Sequence, residues 1–271
     1  MRSWLKDAFF CCLFFAAVAL LVVRGAMGSG YHWQWERALP FFFTPAPQSV
    51  FGFHLGPLLA NGLVTTLRIS ACSLALALLT GLVLAVLRLA GGPVSRNFAL
   101  GTVQTVRNMP LMVLLLGVYM FVPASWNLSA EAIAILVLGL FEGAYMAEIF
   151  RAGILGVPTG QWEAAMCLGL SPWQAWRLVA LPQAARQSLP PIVSQSVSLV
   201  KDSSLASIIA VSELSQQSGI IASDTFLPFE IWLPVAGIYL LLALCLAGLA
   251  KRLEVSLSKG HMARTAKARA I

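Results

Sequence analysis

The feature that most restricts this chain is a series of apolar runs: Ala8 to Val23, Leu58 to Leu87, Pro110 to Val122, Ala130 to Phe150, Ile192 to Leu214 and Ile231 to Ala250. A helix crossing about 30 Å of hydrocarbon needs ~20 residues, and most of these runs come near or exceed that length. Long apolar helices could also fill a large soluble core, but charge decides against it. Only 11% of the 271 residues are Asp, Glu, Lys or Arg, against roughly 25% in ordinary globular chains. Too few charges remain to cover a water-facing surface, so the chain reads as an all-α, multi-pass membrane protein with about six transmembrane helices.

Two runs need comment. The third is short unless it begins near Phe98, which requires Arg107 to snorkel to the membrane surface. The first follows Arg2 and Lys6 and so has the outline of a signal peptide. Arg24 comes directly after it, however, and no small-residue cleavage site precedes that arginine, so an uncleaved span is expected.

Orientation follows from the basic residues. With six spans and both termini inside, the cytoplasmic side holds Arg2, Lys6, Arg88, Arg96, Arg107, Arg151, Arg177, Arg186, Lys251, Arg252, Lys259, Arg264, Lys267 and Arg269. Arg24 and Arg37 lie outside, and Arg68 and Lys201 fall within spans. This asymmetry accounts for most of the net charge of +7 as positive-inside bias, so nucleic acid is not needed to explain it. The expected organisation is an N-terminal transmembrane helix over 1–24, an external loop over 25–57, a transmembrane core over 58–250 and a basic cytoplasmic tail over 251–271, which can lean on anionic lipid. The external loop is rich in Gly, Pro and aromatics, including Tyr31, Trp33 and Trp35, and reads as an interfacial segment rather than a domain. Cys11, Cys12, Cys72, Cys167 and Cys245 show no metal-ligand spacing and read as reduced. His32, His54 and His261 do not cluster, so no metal site is expected.

The longest cytoplasmic loop, Arg151 to Pro191, is more structured than a linker. Pro158, Thr159 and Gly160 break the chain, Gln161 to Leu168 supplies two helical turns, and Gly169 suits the left-handed position after a helix. Ser171, Pro172 and Gln174 then form a capping box with Pro at the first helical position, and Pro182 is expected to end that second helix. Trp162, Leu170, Trp173 and Trp176 are too many apolar residues for an idle loop, so a partner or the membrane should cover them. The pattern also has the outline of a DNA-binding helix-turn-helix. That element needs basic residues on its second helix, and only Arg177 is there; a protein-docking knob is the better reading.

The run Glu163-Ala164-Ala165, Gly169, Val179, Leu181-Pro182 resembles the EAA loop of permease subunits of binding-protein-dependent ABC importers, with Val179 where Ile is usual. Further motifs resemble the polar amino acid permease family, which includes histidine, glutamine and glutamate/aspartate permeases. They are Asn61-Gly62 with Thr65 to Ser70, Arg107 to Pro110, Ala144 to Ile154, Gly160 to Glu163, Leu181 to Ala184 and Lys201 to Leu205, and the likeness runs from about Leu58 to Glu254. The resemblance implies a five-helix permease core behind one appended helix. It also implies that Glu163, Ala164, Ala165, Gly169, Leu181 and Pro182 dock on an ATP-binding cassette subunit. The chain itself has no Gly-x4-Gly-Lys-Ser/Thr phosphate loop, so ATP and Mg would belong to that partner ATPase and no cofactor to this chain. The other implied partners are an identical or homologous permease subunit, an extracytoplasmic amino acid-binding protein and the amino acid itself, in the bacterial inner membrane.

Ionisable groups at membrane depth are expensive and therefore informative. Arg68 lies ten residues into its run and Glu142 twelve into its own, comparable depths of roughly 15 Å or more at 1.5 Å per residue. They could pair with each other, or meet the carboxylate and ammonium of a substrate. Ser194, Gln195, Ser196, Ser198, Lys201, Asp202, Ser203, Ser204 and Ser207 crowd one stretch, which suits a hydrated cavity or a dimer seam; Lys201, Ser203 and Ser204 join the candidate pathway. The expected function is import of polar amino acids, acidic or amide ones favoured, by an ATP-driven complex. A secondary transporter or channel without an ATPase is the alternative, but it would not need a docking knob and no inverted repeat is visible. No His or Cys accompanies the buried acids as a catalytic set, which argues against a membrane enzyme.

Overall fold

The computed structural model describes residues 30–45 and 53–269, with isolated positions between 13 and 25. The expected first span therefore lies almost wholly outside the described residues. The segment expected to be external holds a short helix, α1 (Trp35–Phe42), and a small antiparallel ribbon, β1 (Phe43–Pro45) with β2 (Phe53–Leu55), in the register Phe43 to Leu55. The segment folds onto the bundle rather than standing as a domain. Ala38 and Phe42 are buried with Leu58, Leu214, Leu227 and Ile231, while Tyr31 and Trp33 pack edge-on at 5.3 Å and Trp33 stacks on Trp35 at 5.5 Å.

A π-helical turn over Leu58–Leu63 leads into α2 (Val64–Ala90), which has no internal Pro and stops at Gly91-Gly92. Pro93 opens α3 (Pro93–Asn108) at its first turn, where a missing N–H costs nothing. The next helix, α4 (Leu111–Phe121), is bent by 107° from α3, so a straight third span starting near Phe98 does not exist. The cause is local: Pro110 has no N–H to continue the ladder and pushes Met109 into an extended conformation, φ −96° and ψ 139°.

Helix α5 (Ala130–Leu155) starts at Ser129, whose side chain accepts the Ala132 N–H, and forms the axis of the fold. Of its most apolar stretch 61% is buried, against 33% for the helix over 58–90 and 6% for the last helix, so α5 is the element the others surround. Its main partner is α2. Thr66, Ser70, Ser73, Ala77, Gly81 and Ala85 form one buried stripe at helical spacing, and small side chains let the two backbones approach. A Cβ at Gly139 would stand 2.6 Å from Leu76 Cδ2 and one at Gly81 2.5 Å from Met146 Cβ.

Beyond α5 come α6 (Thr159–Cys167), α7 (Pro172–Ala175), a π-helical stretch over Trp176–Ala180, and α8 (Leu181–Asp202). Two expectations change here. Pro182 does not end a helix but sits in the first turn of α8, and the helix that holds the expected fifth span begins at Leu181, not Ile192. Pro190 and Pro191 lie inside it; the carbonyls they leave unpaired are tolerable in a helix with a polar face. The span then ends at Asp202 rather than Leu214, in a 3-10 segment over Ser203–Ile209. Helix α9 (Leu214–Thr225) is capped by Glu213, which accepts the N–H groups of Ser215 at 2.9 Å and Gln216 at 2.8 Å. The last helix, α10 (Pro228–Arg269), runs past Ala250 through most of the basic tail.

Among the described residues, three helices are long and apolar enough to cross a membrane, and the bent α3–α4 pair makes up to four. Helix α8 has 22 residues, length enough for a further crossing, but its serines and glutamines lower its hydropathy.

Candidate functional site

The α6–α7 knob follows directly from local chemistry. Gly169 adopts φ +77°, a left-handed conformation that costs an L-residue roughly 1–2 kcal/mol. The turn can therefore close tightly between the two helices. Ser171 then accepts the Gln174 N–H at 3.3 Å while Gln174 Oε1 accepts the Ser171 N–H at 2.8 Å, the reciprocal capping box expected from the sequence. Beneath the turn, Val157, Ala180 and Ala184 are buried with Ile154, Trp162 and Trp176 around them.

That packing corrects the list of exposed tryptophans, since Trp162 and Trp176 are half-buried supports. The open apolar surface is instead Met166, Leu168, Trp173 and Leu178, with Leu168 82% and Trp173 69% exposed. Of the site residues read from the sequence, Glu163, Ala164, Gly169, Leu181 and Pro182 are exposed. Ala165 is 3% exposed and belongs to the knob's own base.

In the bundle interior, Arg68 and Glu142 do not meet. Helices α2 and α5 run parallel with partners about 63 positions apart: Arg68 faces Glu131, and Ser73 donates to the Ile135 carbonyl. Glu142 is thus level with position 79, and eleven residues separate that level from Arg68, roughly 16 Å along the axis. Arg68 instead forms a two-pronged pair with Glu131, Nε to Oε1 and Nη2 to Oε2 both at 2.7 Å, with 56% of its side chain exposed.

Glu142 is fully buried. Its Oε2 accepts from Gln195 Nε2 at 2.7 Å, and the Asp202 carboxyl lies close enough to act on it electrostatically. Among the described residues its Oε1 has no hydrogen-bond partner. Of the candidate pathway residues, Glu142 is thus the buried one that gathers further polar groups, Gln195 and Asp202. Lys201 is exposed beside Asp202. Ser203 and Ser204 spend their hydroxyls on the Val200 and Lys201 carbonyls, each at 2.7 Å, closing the junction after α8.

Sequence reasoning missed a second buried carboxylate, Glu213. Besides capping α9 it accepts from Tyr239 at 2.9 Å and Thr66 at 3.3 Å, joining α2, α9 and α10. Its position directly before a helix was the available signal.

Residues 77–259 match the family described as binding-protein-dependent transport system inner membrane component. The chain belongs to that family. It is a multi-pass inner-membrane component of a transport system, a membrane subunit rather than a catalytic one. It is 37% identical over 201 residues to the glutamine transport system permease protein GlnP of Escherichia coli (strain K12), covering 73% of this chain and 92% of that protein. The probable glutamine ABC transporter permease protein of Bacillus subtilis (strain 168) is 38% identical over 199 residues, 72% and 91% of the two chains. The crystal structure of an amino acid ABC transporter with histidines superposes with a TM-score of 0.69 at 32% identity, over 74% of this chain and 94% of that one. An inward-facing methionine ABC transporter shares the fold, with a TM-score of 0.65 at 21% identity. The family match spans the knob, α8 and the Glu142 cluster.

Proposed function

We propose that this inner-membrane component translocates polar amino acids as the permease subunit of an ATP-driven importer, paired with an identical or homologous permease, two ATPases and an extracytoplasmic binding protein. The observation that carries the proposal is the knob: an ordered, capped helix pair that leaves Met166, Leu168, Trp173 and Leu178 in the open beside Glu163 and Ala164. Such a patch marks an interaction surface, and the names of the relatives support an ATPase as the partner that covers it. They also support glutamine, glutamate or aspartate as the kind of cargo. In this reading the knob and both termini face the cytoplasm. The substrate ammonium meets the carboxyls of Glu142 and Asp202 at membrane depth, where an ionisable group is costly unless it serves a partner.

Co-expression with the ATPase of a matching importer, followed by detergent extraction, tests the assembly. A stable complex with nucleotide-dependent uptake in vesicles is expected. A chain that transports in vesicles without any ATPase would overturn the proposal in favour of a secondary transporter. Single-cysteine labelling on a cysteine-free background checks orientation: Asn127 should react from outside and Thr159 only from the cytoplasm.

A further inference from the structure

The end of the bundle nearest the knob holds a charge cluster that neither docking nor the Glu142 site uses. Glu148, in α5, is surrounded by three guanidiniums. Arg88 donates to its Oε1, and Arg151 reaches its Oε2 from Nε at 3.0 Å and from Nη2 at 2.9 Å. With both oxygens engaged, Arg107 is left over. Its Nη1 lies 3.7 Å from Oε1, beyond hydrogen-bond reach, and its Cζ sits 5.0 Å from the centre of the Tyr145 ring. Three cations against one carboxylate leave an uncompensated charge of +2.

Arg107 is also on the wall of a recess of about 450 Å³, completed by Glu148, Ile149, Ala152, Gly153, Gln187 and Pro191. Gly153 lets α5 press close to α8, where an added Cβ would stand 3.0 Å from the Ala184 carbonyl oxygen, and Gln187, exposed on α8, makes one long bond from Nε2 to the Gly156 carbonyl at 3.4 Å. Arg107 is held in the last turn of α3, directly before the Pro110 elbow, so its position is set by a rigid corner of the backbone. A cation with unused donors, a neutral amide and a space between them suit an oxyanion, for which guanidinium is the matching group.

We propose that this recess binds an anionic oxygen group, a phosphate or carboxylate, with Arg107 as its charged ligand and Gln187 as the neutral donor opposite. The recess lies at the end of α2 and α5 that the basic residues assign to the cytoplasm. Two sources of the same chemistry reach it there: the headgroup of an anionic lipid in the inner leaflet, and a free oxyanion from the cytoplasm.

The test uses the full chain in nanodiscs, with two probes. Radiolabelled inorganic phosphate is titrated by equilibrium dialysis in phosphatidylcholine nanodiscs at constant ionic strength. Retained phosphatidylglycerol is counted by native mass spectrometry after extraction from mixed phosphatidylcholine and phosphatidylglycerol vesicles. Wild-type protein should bind at least one probe; phosphate binding identifies a free anion as the source, and phosphatidylglycerol alone identifies the headgroup. Arg107→Gln should weaken that binding about tenfold or more, Arg107→Lys, which keeps the charge but not the fork, should fall between it and wild type, and Arg96→Gln, exposed on α3 outside the recess, should leave it unchanged. Gln187→Glu places a repelling carboxylate on an exposed position and should abolish binding even where Arg107→Gln fails to fold. The proposal falls if wild-type protein binds neither probe, if Gln187→Glu binds as wild type does, or if Arg96→Gln weakens binding as much as Arg107→Gln. No outcome depends on uptake, so a failure here leaves the transport function standing.

Discussion

The α2–α5 seam and the α6–α7 knob are built from the same small residues and arrive at opposite surfaces. In the seam, Ala77, Gly81 and Gly139 bring two parallel helices so close that an added Cβ would collide with Leu76 or Met146. In the knob, Gly169 has nothing within 4 Å of where a Cβ would stand, and Leu168 beside it is almost entirely exposed. A small residue in the first case permits backbone contact; in the second it permits a backbone angle. The seam is complete within one chain, whereas the knob is rigid in itself but unfinished as a surface. This is the division that the proposed function requires: a body that holds its shape in the membrane and a surface that another subunit completes.

The largest effect should come from breaking the seam. Gly139→Leu forces side-chain atoms against Leu76, whose Cβ as well as its tip lies within 2.8 Å of the new Cβ, so α2 itself must shift. Overpacking of this kind costs about 3 kcal/mol. The folded, monodisperse fraction after detergent extraction should fall sharply, with a lower thermal midpoint. Wild-type yield and midpoint would show that the seam is not the rigid body of the comparison.

At the knob the same type of change should separate folding from function. Gly169→Val strains the φ +77° turn by roughly 1–2 kcal/mol without a steric clash, so membrane levels should stay near wild type. Uptake in vesicles with the partner ATPase should drop more than about tenfold as the docking surface is misplaced. Gly169→Asn, which tolerates the left-handed region, should restore much of it. Glu163→Lys, on the exposed face, should uncouple uptake from ATP hydrolysis in the same way. Normal uptake by Gly169→Val would remove the knob from the coupling route.

What could be read from sequence divides along the same line. The knob was legible because its determinants are local: a glycine after a helix and a Ser-Pro-x-Gln capping box lie within six residues. The all-helical membrane class was legible because apolar length and scarce charge are properties of composition. The α2 stripe at Ser70, Ser73, Ala77, Gly81 and Ala85 was in principle visible as small residues at helical spacing. Its partner was not, because which helix faces it and in what register depends on tertiary packing. That is why Arg68 seemed level with Glu142 when depth was counted from the start of each apolar run. The prolines misled in both directions: Pro110 was passed over in seeking a long enough third span, and Pro182 was read as a stop although a first-turn position suits it.

A case between seam and knob is the segment over 30–45, tied to α10 through Glu230. The Tyr31 hydroxyl donates to Glu230, which also accepts the Gln34 N–H at 2.7 Å. Tyr31→Phe should cost about 1 kcal/mol and loosen the segment, read as a change in fluorescence of the stacked Trp33 and Trp35. Burial, and then the Glu230 carboxylate, push the Tyr31 phenol up from 10.0 to about 12. A value higher in the folded than in the unfolded chain means that the contribution is whole below pH 10 and disappears as pH rises through about 12. The fluorescence change should therefore appear in wild type on that alkaline side and be absent in Tyr31→Phe.

The smallest effect is expected where the charges look most conspicuous. Arg68 and Glu131 form a two-pronged pair, but 56% of the arginine side chain is exposed, and a pair that water can reach contributes little because solvation competes with it and salt screens it. Neither residue holds the seam, which is closed further along by Ser73, Ala77 and Gly81. Arg68→Gln and Glu131→Gln should each shift the thermal midpoint less than Tyr31→Phe does, and the double mutant should show a weak coupling that fades at high salt. Arg68→Gln combined with Glu142→Gln should instead be additive, since the two sites share no partner and lie well beyond the distance at which substitutions usually couple. Coupling between Arg68 and Glu142 comparable to that between Arg68 and Glu131 would mean that α2 and α5 slide past each other in the working protein, and the seam would then be a moving contact like the knob rather than its fixed counterpart.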